Sequence, residues 1–294
     1  MSRYRFRSEP LALDDAARAS APGQFVRLSD GWTNYELAGP PDAQAVALIH
    51  GFSVPYYIWD PTFAALAQAG FRVLRYDLYG RGFSDRPDVE YNADLYDRQL
   101  CELLDALGIR APLDVAGLSM GGPIAIHFAD RHPERVRRLV LVDPAGFPLK
   151  QPWMAGLIRI SPLGEWLMDR FGEQILVQSL VKDMKYPERF PDYTERYRAQ
   201  TRYAGFRRAL LSTIRSGMLT GAAEAYRRVG QQKKPVLLIW GREDQVVPFA
   251  ASEQVRAAIP HAEFHAIDEA GHVPHLERPD LVNAILIEFL QRQP

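Results

Sequence analysis

The chain has 294 residues, 47% hydrophobic and 24% charged, with a formal net charge of −1 at pH 7, which suits one large α/β domain carrying an insertion. The near-neutral charge gives no reason to expect a nucleic-acid partner, and the single cysteine, Cys101, can build neither an internal disulfide framework nor a Cys-based zinc site. No secretory leader opens the chain and no uncharged apolar stretch reaches the roughly 18 residues of a membrane span, so a small-molecule partner in a reducing, cytoplasmic compartment is expected.

Residues 1–24 read as an N-terminal arm with little core-forming pattern. FVRLSD and WTNYELA follow as two strands joined at Asp30-Gly31, a hairpin signal. AVALIH, residues 45–50, is a continuous apolar run of the kind a strand buried on both faces requires. Pro61 to Ala69 is helical, FRVLRYD (71–77) is another buried strand, and the pattern has become βαβ. Asn92 to Leu107 has helical spacing and stops at Gly108. RRLVLVD (137–143) is the next strand after the one leading to Ser119. From Pro144 the strand pattern lapses for about ninety residues rich in Trp, Met, Leu, Arg and Pro, and it resumes at Pro235 with VLLIWG. A helix near Phe249 to Ala258, a strand at Glu263 to Ile267 and a helix from Pro279 to Gln291 complete the chain. The expected division is therefore a core of residues 1–146 and 231–294 with a helical cap inserted at 147–230.

The chemistry centres on Leu113 to Gly122, LDVAGLSMGG. Gly117, Ser119 and Gly121 form a G-x-S-x-G pattern between a strand and the helical stretch PIAIHFAD. In such a turn the serine takes strained backbone geometry, its neighbours have no room for Cβ atoms, and its hydroxyl is presented to a reactant. A serine at its free pKa is a poor nucleophile, so a base and an acid that orients the base are required. Downstream histidines are His127, His132, His261, His265, His272 and His275. His272 follows Ala270-Gly271 in a loop beyond the last strand, where it can be aimed at Ser119. His275 reads as a packed neighbour. Two acids compete: Asp244, at the C-terminal edge of the VLLIWG strand, is favoured, and Asp143, at the end of the preceding strand, is the alternative. The pairs His261/His265 and His272/His275 lack a convergent carboxylate pattern, so neither metal nor cofactor is expected.

HGF at 50–52, DLYGRGFS at 77–84, GLSMGG at 117–122, LLIWGREDQVVP at 237–248 and AGHVPHLERP at 270–279 together resemble the α/β-hydrolase-fold serine hydrolases, most of all the capped carboxylesterases and monoacylglycerol-lipase-like enzymes, along with the related cofactor-free C–C bond hydrolases. The resemblance covers the core from about 45 to 290 and leaves the cap unmatched. It implies an α/β-hydrolase fold, a mostly parallel central sheet flanked by helices with an inserted helical cap. It also implies the order serine, acid, histidine, hence Ser119, Asp244 and His272, with the backbone N–H groups of Phe52 and Met120 as oxyanion hole. His50, Asp77 and Arg81 are expected to organise loops, and Glu243 to face solvent. An acyl pocket is expected from Tyr56, Tyr57 and Trp59 on one wall and Trp153, Leu157 and Trp166 of the cap on the other.

The implied activity is hydrolysis of a short to medium acyl ester or monoacylglycerol through an acyl-enzyme on Ser119. The alternatives are C–C bond cleavage, lactone opening or perhydrolysis on the same residues, and a noncatalytic ligand receptor. C–C hydrolases of this type usually carry tryptophan after the histidine, where this chain has Val273. Receptors on this fold normally lose the serine, acid and histidine, and Ser119 excludes the aspartate nucleophiles of dehalogenases and epoxide hydrolases.

Overall fold

The computed structural model describes residues 4, 6–148 and 153–292, the side chains of 153–155 excepted. Eight strands form one sheet: β1 (Gln24–Leu28), β2 (Gly31–Ala38), β3 (Ala45–Ile49), β4 (Arg72–Tyr76), β5 (Leu113–Leu118), β6 (Val136–Val142), β7 (Val236–Gly241) and β8 (Glu263–Ile267). Their spatial order is β1-β2-β4-β3-β5-β6-β7-β8. β1 and β2 are the expected hairpin, β2 runs antiparallel to β4, and all the remaining pairs are parallel. The helices are α1 (Asp15–Ala19), α2 (Asp60–Gln68), α3 (Ala93–Ala106), α4 (Gly121–Arg131), α5 (Leu163–Lys182), α6 (Pro191–Thr201), α7 (Phe206–Arg215), α8 (Ala223–Gln231), α9 (Ser252–Ala258), α10 (Pro274–Glu277) and α11 (Pro279–Gln291).

The apolar runs seen in the sequence serve two cores at once, because successive strand side chains point to opposite faces. Ala47, Ile49, Val115, Leu139, Leu141, Leu238 and Trp240 pack with α3, α4, α8 and α9. Val46, Leu48, Ala116, Leu118, Val140, Val142, Leu237 and Ile239 pack on the other side with α2 and α11. Asn92 caps α3, its side chain accepting from the N–H groups of Asp94 and Leu95 at 3.1 Å each. Among the described residues, no helix is long and apolar enough to cross a membrane.

Helices α5 to α8 fill the interval between β6 and β7. They divide between two places. α8 lies on the sheet layer, where Tyr226 is fully buried and its hydroxyl donates to the Ala145 carbonyl at 2.8 Å. α5, α6 and α7 instead join the second core cluster, through Leu176, Leu180, Tyr193, Tyr197, Phe206 and Leu210. Residues 149–152 of the expected insertion at 147–230 lie outside the described residues. The arm is also better anchored than its composition suggests. Glu9 accepts from the N–H groups of Gly205 (2.7 Å) and Arg207 (2.6 Å), pinning the arm to the start of α7.

Candidate active site

Open parallel sheets carry their sites beyond the carboxyl ends of the strands. Here β3 delivers His50-Gly51-Phe52, β5 delivers Ser119, β6 delivers Asp143, β7 leads to Asp244 and β8 leads to His272. Ser119 has φ 51°, in the left-handed region that non-glycine residues rarely adopt. The surroundings hold it there: its N–H donates to the Val142 carbonyl (2.9 Å), and its carbonyl accepts from Gly122 (2.9 Å) and Ala145 (3.0 Å). The flanking glycines follow from crowding. A Cβ at Gly117 would come within 2.2 Å of the Gly121 carbonyl oxygen, and one at Gly121 within 2.3 Å of that of Ile49.

The His272 Nδ1–H donates to Asp244 Oδ2 at 2.7 Å, both side chains being buried. Asp244 is fixed by its other oxygen, which accepts from the N–H groups of Val246 (2.7 Å) and Val247 (3.0 Å). This leaves His272 Nε2 for the cavity. Burial alone would lower the imidazole pKa; the Asp244 carboxylate, seconded by Asp183, outweighs it and raises the pKa above the ordinary histidine value. Ser119 and His272 line one small cavity of about 70 Å³ with Gly51, Phe52, Leu118 and Val273.

The rival acid, Asp143, lies beside Asp244. Burial and the neighbouring Asp244 carboxylate push its pKa well above the usual carboxylate range. Its Oδ1 accepts the Gly241 N–H at 2.9 Å, which steadies the end of β7 just before Asp244. The structure therefore brings both candidates together and gives the contact with His272 to Asp244.

The Gly51–Phe52 loop beside Ser119 rests on residues whose roles the sequence left general. His50 is buried and neutral, its pKa lowered to about 3 by burial. Its Nε2 accepts the Leu78 N–H at 2.9 Å, so its Nδ1–H donates to the Gly51 carbonyl, also at 2.9 Å. That carbonyl belongs to the same peptide unit as the Phe52 N–H, so His50 fixes the direction in which this donor points. Arg81 holds the next peptide, its Nε donating to the Phe52 carbonyl at 2.8 Å. Among the described residues, neither the Phe52 nor the Met120 N–H is spent on a hydrogen bond. A Cβ at Gly51 would stand 3.3 Å from Ser119 Cβ, which shows how closely this loop passes the serine. Asp77 accepts from the N–H groups of Tyr56 (3.0 Å) and Phe83 (2.9 Å), as expected of a loop organiser.

The pocket walls differ from the expected set. Tyr56 donates to Glu36 at 3.0 Å, and Tyr57 lies under the Arg196 guanidinium at 4.0 Å, both lining a separate cleft. Trp59 is fully buried against His275, ring centroids 4.3 Å apart. Trp166 is 52% exposed, Leu157 is half-buried away from the cavity, and the Trp153 side chain lies outside the described residues. The cavity is walled instead by Ser53, Val54, Ile58, Ser179, Leu180, Asp183, Tyr193 and Val246. The reason is geometric: α5 meets the site at its C-terminal end, and Trp166 lies fourteen residues, or roughly 20 Å, along the helix from Leu180. Glu243 is also corrected: it pairs with Lys185 at 2.9 Å and accepts from the Ala270 N–H at 3.2 Å.

Three other histidines are engaged locally. His275 donates to the Ile58 carbonyl (3.1 Å), His261 bonds the Lys234 carbonyl (2.8 Å) and His265 meets Glu263 (2.8 Å). Asp97, Cys101 and His132 do bring three potential metal ligands within 4.8 Å of one another, a proximity that the lone cysteine gave no hint of. Arg131 already stands 3.4 Å from Asp97 there.

A mostly parallel sheet, a serine on a positive-φ turn after β5 and a histidine–aspartate pair after β7 and β8 define an α/β hydrolase. The chain belongs to that family: the alpha/beta hydrolase fold profile matches residues 44–279. Among its relatives, a 2-hydroxymuconate semialdehyde hydrolase of Pseudomonas sp. (strain CF600) is 32% identical over 74% of this chain and 76% of that protein. Lipase 1 of Psychrobacter immobilis is 30% identical over 84% of this chain and 75% of its own. The meta-cleavage product hydrolase from Pseudomonas fluorescens IP01 superposes with a TM-score of 0.76 at 29% identity, covering 91% of this chain and 97% of that one. Family and relatives together support hydrolase activity.

Proposed function

We propose that this protein hydrolyses carboxylic esters of short to medium acyl chains through an acyl-enzyme on Ser119. The observation that carries the reading is the Asp244–His272 hydrogen bond at 2.7 Å facing the same cavity as a strained, positive-φ serine. In the first half-reaction, Ser119 Oγ attacks the acyl carbonyl carbon as its proton passes to His272 Nε2. The Phe52 and Met120 N–H groups take the developing oxyanion. Collapse expels the alcohol, which leaves with the proton from His272. Water then attacks the acyl-enzyme with His272 again as base, releasing the acid and restoring Ser119. Helices α5 to α7 act as the cap over this cavity.

C–C bond hydrolysis is the second reading, favoured by the 2-hydroxymuconate semialdehyde hydrolase relative. Against it stands the cavity itself. Its wall at the position after the histidine is Val273, and the charged side chain facing Ser119 from the helical segment is the acid Asp183. A substrate that carries its own carboxylate finds no arginine or lysine among the described lining residues. Turnover of neutral aryl esters of increasing acyl length, measured beside a ring-fission diketone acid and with Ser119→Ala as control, separates the two. Turnover of the diketone acid alone would overturn the ester reading.

A further inference from the structure

We propose that Asp183 is a charge-selecting residue of the acyl site, admitting neutral acyl groups and turning away those that carry a second carboxylate. The inference rests on the ester-hydrolase reading of Ser119 and names which esters that site takes.

Asp183 ends α5 and lines the Ser119–His272 cavity. Its backbone is bolted to the histidine loop: the His272 N–H donates to the Asp183 carbonyl at 2.7 Å. Glu277 completes the joint, one oxygen accepting from Gly271 (2.6 Å) and the other from the N–H groups of Lys185 (2.8 Å) and Tyr186 (3.4 Å). The side chain is thereby delivered to one place, yet its carboxyl makes no hydrogen bond or ion pair among the described residues. Of the cations beside it in the chain, Lys182 is exposed on α5 and makes no ion pair among the described residues, and Lys185 is turned to Glu243 at 2.9 Å. A half-buried acid so firmly placed at the cavity wall, with no protein partner among the described residues, is available to whatever enters the cavity.

The groups facing it set its state. His272 approaches from the loop after β8, Asp244 from the loop after β7, Glu277 from α10, and the Tyr193 and Tyr197 hydroxyls from α6. Burial, with Asp244 and Glu277 adding to it and His272 opposing, raises the Asp183 pKa to about 7. Above that value Asp183 is an anion in a low-dielectric cavity, where a second carboxylate on the acyl chain meets direct repulsion. Below it the carboxyl is neutral and the discrimination fades. The same repulsion acts on the product acid once the acyl-enzyme is hydrolysed and aids its departure.

The test compares ethyl butyrate with monoethyl succinate, four-carbon acyl chains that differ at the far end in a methyl or a carboxylate. Their kcat/KM ratio is measured from pH 6 to 9, so that the ionisation of His272, common to both, cancels. The wild-type preference for butyrate should grow as pH rises through about 7, and Asp183→Asn should shrink it roughly 10- to 100-fold and flatten its pH dependence. Asp183→Ser makes the same test should the asparagine variant fail to fold. Labelling rates with a butyl fluorophosphonate and its ω-carboxylate analogue repeat the comparison without an ester. An unchanged ratio in folded variants, by turnover or by labelling, overturns the role of Asp183. If neither ester is turned over while the labelling ratio still moves, the ester reading falls and the charge selection stands. If no label attaches, both fall.

Discussion

The sharpest contrast lies between two adjacent carboxyls. Asp244→Asn replaces the oxygen that receives the His272 Nδ1–H with a group that can itself donate. The imidazole is then driven to the tautomer with its proton on Nε2, which cannot take the Ser119 proton. Among the described residues nothing else bonds Nδ1, so the loss should be of the order of 10³- to 10⁴-fold in kcat, about 4 to 5.5 kcal/mol of transition-state stabilisation. Asp143→Asn is a different perturbation. Burial and the Asp244 carboxylate raise the Asp143 pKa well above the usual carboxylate range, and its Oδ1 accepts the Gly241 N–H at 2.9 Å. An asparagine reproduces that acceptor, so at most the difference of a single hydrogen bond, up to about tenfold, is expected. The assay is initial-rate hydrolysis of one good ester by both variants, with melting curves to show that each is folded. A greater loss in Asp143→Asn than in Asp244→Asn would refute the assignment of the orienting acid.

Other outcomes follow from the same geometry. Because the Asp244 carboxylate raises the His272 pKa and the base must be neutral to act, kcat/KM for a neutral ester should rise with pH through an inflection above about 6.5. A flat profile from pH 5 to 8 with chemistry rate-limiting would speak against a histidine base. His50→Ala frees the Gly51–Phe52 peptide and should cost about a hundredfold in kcat with KM little changed, the scale of losing one oxyanion donor; equal kcat would remove His50 from that role. Each acyl methylene buried in the cavity should add about 0.8 kcal/mol, up to fourfold in kcat/KM, until the pocket is full. Leu180→Ala should therefore move the acyl-length optimum to longer chains while Trp166→Ala leaves it in place, as a length series on both variants would show.

The sheet was legible because its strands had to be apolar on both faces, and β3, β5, β6 and β7 duly send alternate residues into two cores. The serine turn was legible because steric crowding leaves only glycine at 117 and 121. The pocket wall was not. Trp153, Leu157 and Trp166 carry the loudest apolar signal in the helical segment, but which end of α5 reaches the site depends on docking that no local periodicity encodes. Asp183, Ser179 and Leu180 sit in no motif and acquire their place from the Glu277 joint to the histidine loop. The raised pKa of Asp143 was hidden for a related reason: β6 and β7 are neighbours in space, and that adjacency places the two carboxyls side by side.

The central claim is that Ser119 forms a covalent acyl intermediate, and intact-mass measurement during rapid-quench turnover of a neutral ester addresses it most directly. The expected result is an adduct of the acyl mass, mapped by peptide fragmentation to Ser119 and absent from Ser119→Ala, which should lose several powers of ten in kcat while keeping its fold. An adduct on another residue, or undiminished turnover in Ser119→Ala, would contradict it.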